Sequence, residues 1–369
     1  ELMDDHRLAR VRSALREQGL DALLVGPSAD LRYLVGYHAL PLERLTMLVV
    51  PADGQAVLVV PELEAARAAD SGADQLVSLR TYGEVDDPMA LVASHLTQLG
   101  ATRRLAIQDR LWTSFTLALQ QALPDAALVA GSTVMRELRM IKSQDEIEAL
   151  RQVGAAIDAV HARVPQLLRA GRTEAEVGAD IAELILLDHD EVNFIIVASG
   201  PNGASPHHET GSRQLQSGDA VVVDIGGTRN GYCSDMTRNY VIDHAPDGYQ
   251  QLHEVLEEAQ ASAMEAVRPG VAAGEIDRIA REHLTEAGYG QWFIHRTGHG
   301  IGVEEHEEPW IVDGNEQPLE PGMAFSIEPG IYLPDRYGAR IEDIVVVTGS
   351  GVESLNHRPR HLEIAGGDG

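Results

Sequence analysis

The stretch VVVDIGGTRNGYCSDMTRN, residues 221–239, constrains the fold more than any other part of this sequence. Three valines indicate a buried strand that ends in Asp224, and after a glycine-rich turn the chain returns with Asp235. Burying two carboxylates is costly unless each has a partner, and this stretch offers no basic residue placed to serve both. Across a hairpin the two aspartates can face each other directly or diagonally, within reach of one shared cation.

A second hairpin has the same character. The segment FSIEPGIYLPDRYGARIEDIVVV, residues 325–347, carries Glu328 and Glu342 beside apolar residues. The segments that open a helix ahead of each hairpin, LRAGRTEAEV at 168–177 and VRPGVAAGEI at 267–276, also match at several positions, among them Arg169 with Arg268. The sequence therefore predicts two similar halves, related by an approximate two-fold, that bring four carboxylates to one centre.

Histidine adds a nitrogen donor to these acids. The segment HRTGHGIGVEEH holds His295, His299 and His306, and glycines flank His299 on both sides. Glycine lets the backbone approach a ligand closely or take turns that other residues resist. Oxygen donors with a single imidazole favour a hard divalent ion such as Mn²⁺, while Co²⁺, Fe²⁺ and Zn²⁺ also suit the set. Two such cations would support hydrolysis.

The order of helix and strand signals divides the chain into two domains. Residues 1–131 alternate between helices and short apolar strands such as DALLVGP and RLAIQDR, which indicates an α/β domain. A boundary is predicted near Gly131, and residues 132–369 form the second domain. There Ser143-x-x-Glu146 predicts the start of a long amphipathic helix that continues to Leu168, and Thr173-x-x-Glu176 predicts the start of the next one.

Composition excludes several classes of function. Lys and Arg number 29 against 57 Asp and Glu, a formal charge of -28, which disfavours binding to nucleic acid or to an anionic membrane. No apolar run reaches the ~18 residues of a transmembrane helix. The one cysteine, Cys233, excludes an intrachain disulfide and suits a reducing compartment. We therefore expect a cytoplasmic protein.

Four motifs carry a family resemblance: VVVDIGGTRNGYCSDMTR, HRTGHGIG, SIEPGIY and ARIEDIVVV. They resemble the motifs of the pita-bread metallopeptidases, and within that group those of the Xaa-Pro peptidases, aminopeptidase P and prolidase. The likeness covers essentially the whole chain. It implies a creatinase-like α/β domain over residues 1–131 and an α+β pita-bread catalytic domain with an internal pseudo-two-fold repeat over 132–369.

The resemblance also implies roles for individual residues. Asp224 would bind one metal ion, His299 and Glu328 the other, and Asp235 and Glu342 would bridge the two. Glu328 would in addition act as general base and then general acid. The remaining residues that match functional positions of the family are His207, His295, His306 and Arg340. The family further implies peptide substrates that contain proline, two divalent metal ions, and a homodimer in which the amino-terminal domain shapes the partner's site.

One position departs from the family pattern. Prolidases carry an arginine four residues after the histidine that His306 matches, and it is thought to hold the free carboxylate of a dipeptide. Here that position is Trp310, which cannot form a bidentate contact to a carboxylate. Either another arginine, with Arg336 and Arg340 as candidates, does that work, or the enzyme accepts longer peptides. We expect the second outcome.

Other functions compatible with the same fold are less consistent with the sequence. Because all five ligand positions are filled, a non-catalytic pita-bread protein that only binds a partner is the weaker alternative. The same five residues count against a creatinase-like hydrolase, which uses no metal. The additional amino-terminal domain disfavours a methionine aminopeptidase.

Overall fold

The computed structural model describes residues 5–366, which divide into two compact units between Arg139 and Met140. The outermost residues of the two predicted domains, 1–4 and 367–369, lie outside this range. Over the described residues, no helix combines the length and the apolarity that a membrane crossing requires.

The first unit contains a six-stranded mixed sheet with the order β4-β3-β2-β1-β5-β6. Its helices are Asp5–Gln18 (α1), Ala29–Val35 (α2), Ala65–Asp70 (α3), Ala73–Leu76 (α4), Pro88–Leu99 (α5), Thr113–Ala122 (α6) and Ser132–Met140 (α7). Its strands are Ala22–Val25 (β1), Met47–Pro51 (β2), Val57–Pro61 (β3), Ser78–Tyr82 (β4), Arg104–Ile107 (β5) and Ala127–Ala130 (β6). The predicted α/β character of this region is confirmed. The turn between β2 and β3 contains Gly54, whose φ of 115° lies in the region that favours glycine.

The second unit is built from helices that cover two sheets, one wholly antiparallel and the other antiparallel except for one edge strand. The helices are Gln144–His161 (α8), Val164–Leu167 (α9), Glu174–Ile185 (α10), Tyr249–Glu265 (α11) and Ala273–Glu286 (α12). The strands are Glu191–Ser199 (β7), Ala220–Arg229 (β8), Tyr232–Cys233 (β9), Met236–Ile242 (β10), Gly298–Gly300 (β11), Glu307–Ile311 (β12), Ala324–Ile327 (β13), Gly330–Leu333 (β14), Tyr337–Arg340 (β15), Asp343–Val347 (β16), Val352–Ser354 (β17) and Glu363–Ala365 (β18). The sheet orders are β18-β10-β8-β7, with β9 on β8, and β12-β11-β13-β16-β17, and β14 pairs separately with β15.

The internal repeat is visible in the backbone. Each half places two long helices before three antiparallel strands, β7-β8-β10 in the first half and β11-β13-β16 in the second. The chain entering the second helix of each half is held in the same way. Gly171 donates its amide hydrogen to Leu215 O, and Gly270 donates to Leu319 O, both at 2.8 Å. The predicted pseudo-two-fold repeat thus extends to individual hydrogen bonds.

Both predicted capping boxes are present, at Ser143 with Glu146 and at Thr173 with Glu176. The long helix is shorter than predicted, because α8 ends at His161 and a separate turn, α9, follows it. Pro165 explains the break, since proline has no amide hydrogen to donate to the carbonyl four residues earlier, and its ring clashes with that carbonyl.

Strand alternation decides which side chains reach the site. Val221, Val223 and Ile225 of β8 lie in one apolar core, so Asp224 points to the opposite face of the strand. In the second half Phe325 and Ile327 of β13 lie in another core. The same alternation therefore turns Ser326, and Glu328 directly after the strand, away from that core.

Candidate metal centre

Asp224 and Asp235 both lie at the buried face of the first hairpin. Asp224 pairs with Thr237 across β8 and β10, so Asp235, two residues before Thr237, is its diagonal neighbour. Both residues are buried, with 8% and 3% of their surface exposed, respectively. Of the two geometries expected from the sequence, the hairpin therefore adopts the diagonal one.

Glu328 and Glu342 occupy the ends of the second hairpin. Ile327, the last residue of β13, pairs with Asp343, the first residue of β16. Because the strands are antiparallel, Glu328 follows β13 opposite Glu342, which precedes β16. Glu328 directly follows β13, and its amide donates to Thr297 O at 2.7 Å. This hydrogen bond fixes Glu328 next to the segment that leads into β11.

A single backbone bridge joins the two hairpins. Glu342 donates its amide hydrogen to Thr237 O at 3.3 Å, and Thr237 Oγ1 donates to Glu342 Oε2 at 2.7 Å. Because Asp235 lies only two residues from Thr237, this bridge brings Asp235 and Glu342 together although they are far apart in sequence. One carboxylate oxygen each of Asp224, Asp235 and Glu342 lies within 4.8 Å of the others.

His299 supplies the nitrogen donor from β11. Its Nδ1 lies 3.0 Å from Gly300 O, and a carbonyl can only accept, so Nδ1 carries the hydrogen. The lone pair of the neutral ring is then on Nε2, which lies 3.2 Å from Glu328 Oε1 and 3.6 Å from Asp235 Oδ2. His299, Glu328 and Glu342 each offer one ligand atom within 4.8 Å of the others, an arrangement suited to a shared cation.

The glycines on either side of His299 have a steric cause. A Cβ on Gly298 would collide with Ser326 O, and a Cβ on Gly300 would collide with Glu308 O. These glycines were expected to allow close approach to a ligand or unusual turns, whereas in the structure they allow close approach to the neighbouring strands.

The electrostatics of the centre also indicate a missing positive charge. Burial, reinforced by the neighbouring carboxylates, raises the pKa of Asp235 well above its ordinary range, and the pKa of Glu342 rises for the same reasons. Burial acts in the same direction on Glu328, but the combined effect of its neighbours His299, His295 and Arg340 outweighs it and lowers the pKa of Glu328 to about 2. Four acids at one buried point are stable only when cations balance them.

Arg340 provides part of this balance. Its Nη2 donates to Asp224 Oδ2 at 2.6 Å, Nη1 to Tyr332 Oη at 2.9 Å, and Nε to Thr237 Oγ1 at 3.2 Å. One guanidinium supplies a single positive charge, which is fewer than the four carboxylates of the centre require. Two buried carboxylate oxygens, Asp224 Oδ1 and Glu342 Oε1, accept no hydrogen bond at all. These unsatisfied oxygens and the lone pair of His299 fit divalent cations, because oxygen donors with one imidazole are a typical ligand set for them.

The three further histidines surround the centre differently. His306 is an exposed residue whose ring is tilted by 45° against the ring of His299, with 3.9 Å between the ring centroids. Desolvation, together with the neighbouring His299, lowers the pKa of His306 to about 4. His295 donates from Nδ1 to Arg296 O and accepts at Nε2 from Tyr332, both at 2.7 Å. Burial lowers its pKa. His207 is exposed at the cavity wall.

The five candidate ligands, the three further histidines and Arg340 all line one cavity of about 630 Å³, the size of a small-molecule site. The lining residues are Phe194, Ile196, Ser205, Pro206, His207, Asp224, Asp235, Ile294, His295, Arg296, His299, Glu305, His306, Glu328, Arg340 and Glu342. The structure thus brings together every site residue that the sequence singled out.

Two residues of the centre were not predicted. Thr237 bridges the hairpins, and Tyr332 connects Arg340 to His295, with burial raising its phenol pKa to about 12. Tyr332 is the last residue of the SIEPGIY motif, so the motif could have indicated it. Thr237 has no sequence signal, because its role depends on the approach of the second hairpin.

The residues considered for carboxylate binding lie in different places. Arg340 is buried and paired with Asp224, while Arg336 donates to Tyr337 Oη at 2.8 Å and is not among the cavity residues. Trp310 lies on β12 directly opposite His299. Its ring supports Arg296, whose guanidinium carbon is 4.2 Å from the ring centroid.

Comparison with known proteins places this geometry in a family. Residues 148–349 match metallopeptidase family M24, and residues 7–141 match the creatinase/prolidase N-terminal domain. The chain is 50% identical to the probable dipeptidase PepE of Mycobacterium tuberculosis, over 96% of this chain and 95% of that one. It is 34% identical to the Xaa-Pro dipeptidase of Lactobacillus helveticus, over 97% and 98% of the two chains.

A solved structure agrees with these matches. The crystal structure of dipeptidase PepE from Mycobacterium ulcerans superposes with a TM-score of 0.92 at 50% identity, covering 97% of each chain. The predicted combination of a creatinase-type amino-terminal domain and a pita-bread catalytic domain is therefore confirmed. From the fold, the converging acids and these matches together, the chain belongs to metallopeptidase family M24, in its Xaa-Pro peptidase branch.

Proposed function

We propose that this protein is a two-cation exopeptidase that removes an N-terminal residue preceding proline. The observation that carries the proposal is the convergence of four carboxylates and His299 at the floor of one cavity, with two buried carboxylate oxygens left unsatisfied. The names of the relatives, Xaa-Pro dipeptidase and dipeptidase, support the same substrate class.

Two overlapping groups of ligands support two neighbouring cations. One consists of Asp224, Asp235 and Glu342, and the other of His299, Glu328 and Glu342. Asp224 would hold the first cation, His299 and Glu328 the second, and Asp235 and Glu342 would contact both. Bound cations would supply Lewis acidity toward the scissile carbonyl and a water nucleophile at neutral pH. The oxygen-rich ligand set favours Mn²⁺.

The protein's own groups would move protons and hold the peptide. Glu328 is poised as the general base that accepts the proton of the attacking water and then passes it to the proline nitrogen that leaves. His306, neutral at pH 7 because of its lowered pKa, can donate one hydrogen bond and accept another at the cavity wall. His207 lines the same wall.

His295 and Arg340 would hold this wall in place. Arg340 donates to Asp224 on one side and to Tyr332 on the other, and Tyr332 donates to His295. The side-chain nitrogens of Arg340 and His295 and the hydroxyl of Tyr332 all have hydrogen-bond partners within the protein. We therefore assign both residues to orienting the ligands and the substrate.

A metal-restoration assay tests the proposal. Protein stripped with a chelator should be inactive toward an Xaa-Pro dipeptide and regain turnover with Mn²⁺, with Co²⁺, Zn²⁺ and Fe²⁺ tested alongside. An Xaa-Ala dipeptide serves as the control for proline specificity. If no metal restores cleavage of any Xaa-Pro peptide, the alternative of a non-catalytic binding protein replaces the enzyme.

We also infer a homodimer from the relationship to this family. Light scattering on the purified chain at several concentrations tests this directly, because a monomeric mass at all of them contradicts the inference.

A further inference from the structure

Arg296 is a cationic side chain in the cavity that no role described so far uses. It lies just before β11 and lines the same cavity as His299 and Glu328. Its guanidinium carbon is 4.2 Å from the ring centroid of Trp310. Within residues 5–366 the guanidinium makes no hydrogen bond and no ion pair, although it lies in the field of Glu328.

The other arginines near the site cannot take its place. Arg340 lines the cavity too, but it is 3% exposed and its three nitrogens all donate to protein groups. Arg336 donates to Tyr337 Oη and to Asp247 O, outside the cavity lining. Arg296 is thus the cavity arginine with its donors available.

Contact with Trp310 fixes the position of the Arg296 guanidinium although it has no hydrogen-bond partner in the described part of the chain. Strand pairing of β11 with β12 sets Trp310 opposite His299, so the indole is fixed relative to the metal centre. A guanidinium that stacks on an indole is held by the ring face, while the N–H groups at its edge remain directed away from it. That edge matches the two oxygens of a carboxylate.

We propose that Arg296, oriented by Trp310, binds the free carboxylate of the proline in an Xaa-Pro dipeptide and makes this protein prefer dipeptides. In such a substrate the carboxylate belongs to the residue next to the scissile bond, so one cavity can contain both. Trp310 then supports a carboxylate-binding arginine contributed by another segment. This inference rests on the proposed function and reverses our expectation that Trp310 permits longer peptides.

The kinetic test compares an Xaa-Pro dipeptide with its C-terminal amide and with an Xaa-Pro-Yaa tripeptide. The dipeptide should be preferred over the amide in kcat/KM by roughly ten- to a hundredfold, the range of a charge-assisted contact. In Arg296→Gln this ratio should fall close to one. In Trp310→Leu it should fall in part, through a higher KM for the dipeptide at similar kcat, because Trp310 only positions the arginine.

Arg336→Gln is the matched control, since it removes an arginine outside the cavity and should keep the wild-type ratio. If the wild-type protein cleaves the amide and the tripeptide as well as the dipeptide, Arg296 does not bind the carboxylate, while the proposed function survives.

A binding measurement on the metal-loaded protein separates the two proposals further. Calorimetry with L-proline and L-prolinamide needs no turnover, and L-proline should bind at least about tenfold more tightly, with the difference lost in Arg296→Gln. Equal binding of the two ligands overturns the role of Arg296. A preference for L-proline that depends on Arg296, without cleavage of any Xaa-Pro peptide, would uphold that role and contradict the proposed function.

Discussion

The two halves of the second unit pair their strands in equivalent registers but place different side chains there. In the first half Asp224 lies opposite Thr237, and in the second half Glu328 lies opposite Glu342. Matching Asp224 with Glu328 therefore makes Thr237 the counterpart of Glu342. These two counterparts are also the residues that form the bridge between the hairpins. In a two-fold repeat a residue meets its own counterpart only at the axis. The bridge between Thr237 and Glu342 therefore marks the position of the approximate two-fold axis.

The positions on either side of this bridge carry complementary groups. Two residues before it, Asp235 in the first half corresponds to Arg340 in the second. One residue after it, Arg238 corresponds to Asp343, and these two form a buried ion pair at 2.6 Å. Two identical halves would set like charges against each other at such an axis, which is unfavourable. The two halves thus share a backbone arrangement but stabilise it at the axis with oppositely charged side chains, Arg238 in one half and Asp343 in the other.

The candidate metal ligands are divided unequally between the halves. Ala198 of β7 pairs with Val222, two residues before Asp224. The corresponding place in the second half is held by His299, whose amide donates to Ser326 Oγ, two residues before Glu328. The imidazole therefore comes from one half only, and a complete centre requires both.

The largest expected effect follows from removing a ligand that the first half contributes. Asp235→Ala should abolish metal-dependent cleavage, a loss greater than the roughly ten- to hundredfold that changes beyond the direct ligands typically cause. It should also remove the rise in melting temperature that added metal gives the stripped wild-type protein. Asp243→Asn, at the exposed end of the same hairpin, is the control. Near-normal turnover in Asp235→Ala would refute the assignment.

The complementary pair at the axis should dominate stability. Arg238→Met leaves the buried Asp343 with Arg360 as its remaining cation and removes the hydrogen bonds of Arg238 to Glu342 O and Arg358 O. The free energy of unfolding should therefore fall by about 3 kcal/mol in denaturant titrations, the lower end of the range for a broken buried pair. Combining it with Asp343→Leu should recover part of this loss, because the buried carboxylate is removed and the Arg360 side chain, which is 28% exposed, can be solvated. A double variant as unstable as the sum of the two single ones would show that the pair is not coupled.

A pH-dependent difference between the halves is expected at the end of α8. In the register that matches Arg169 with Arg268, His161 corresponds to Gln260. His161 is fully buried between Met236 O and Tyr240 Oη, and burial lowers its pKa to about 3. Between pH 3 and 6.5 the unfolded state binds the proton that the folded state excludes, so His161 costs stability as the pH falls below 6.5.

His161→Gln gives the first half the neutral amide of the second. Relative to the variant, the wild-type protein should lose about 2 kcal/mol of unfolding free energy between pH 7 and pH 5. Urea titrations at the two pH values measure this difference. Parallel pH dependence of the two proteins would mean that His161 is protonated in the folded state.

The smallest effects concern the helix that follows in each half. Thr173 caps α10 with a complete capping box, whereas its counterpart Ala272 caps α12 without a side-chain hydrogen bond. Thr173→Ala should cost about 1 kcal/mol, and Ala272→Ser should gain a similar amount, because Glu275 already occupies the third helical position. Melting curves should shift by a few degrees in opposite directions. Shifts of the same sign would show that the two caps are not equivalent.

Much of this protein follows from local sequence rules. The capping boxes, the strands of the first unit and the apolar alternation of β8 depend on neighbours within a few residues, so they could be predicted. The α8 helix was predicted too long because the local effect of Pro165 was overlooked.

The five ligand candidates could be identified from the sequence because acids and histidine within glycine-rich apolar strands are unusual and resemble known motifs. The sequence by itself thus determined which residues are the candidates for metal binding. Only the tertiary structure decided how they meet: through the bridge between Thr237 and Glu342, through Tyr332 beneath Arg340, and through Trp310 under Arg296. These contacts join segments whose approach depends on how the two halves and their strands pack, and no local pattern encodes that packing.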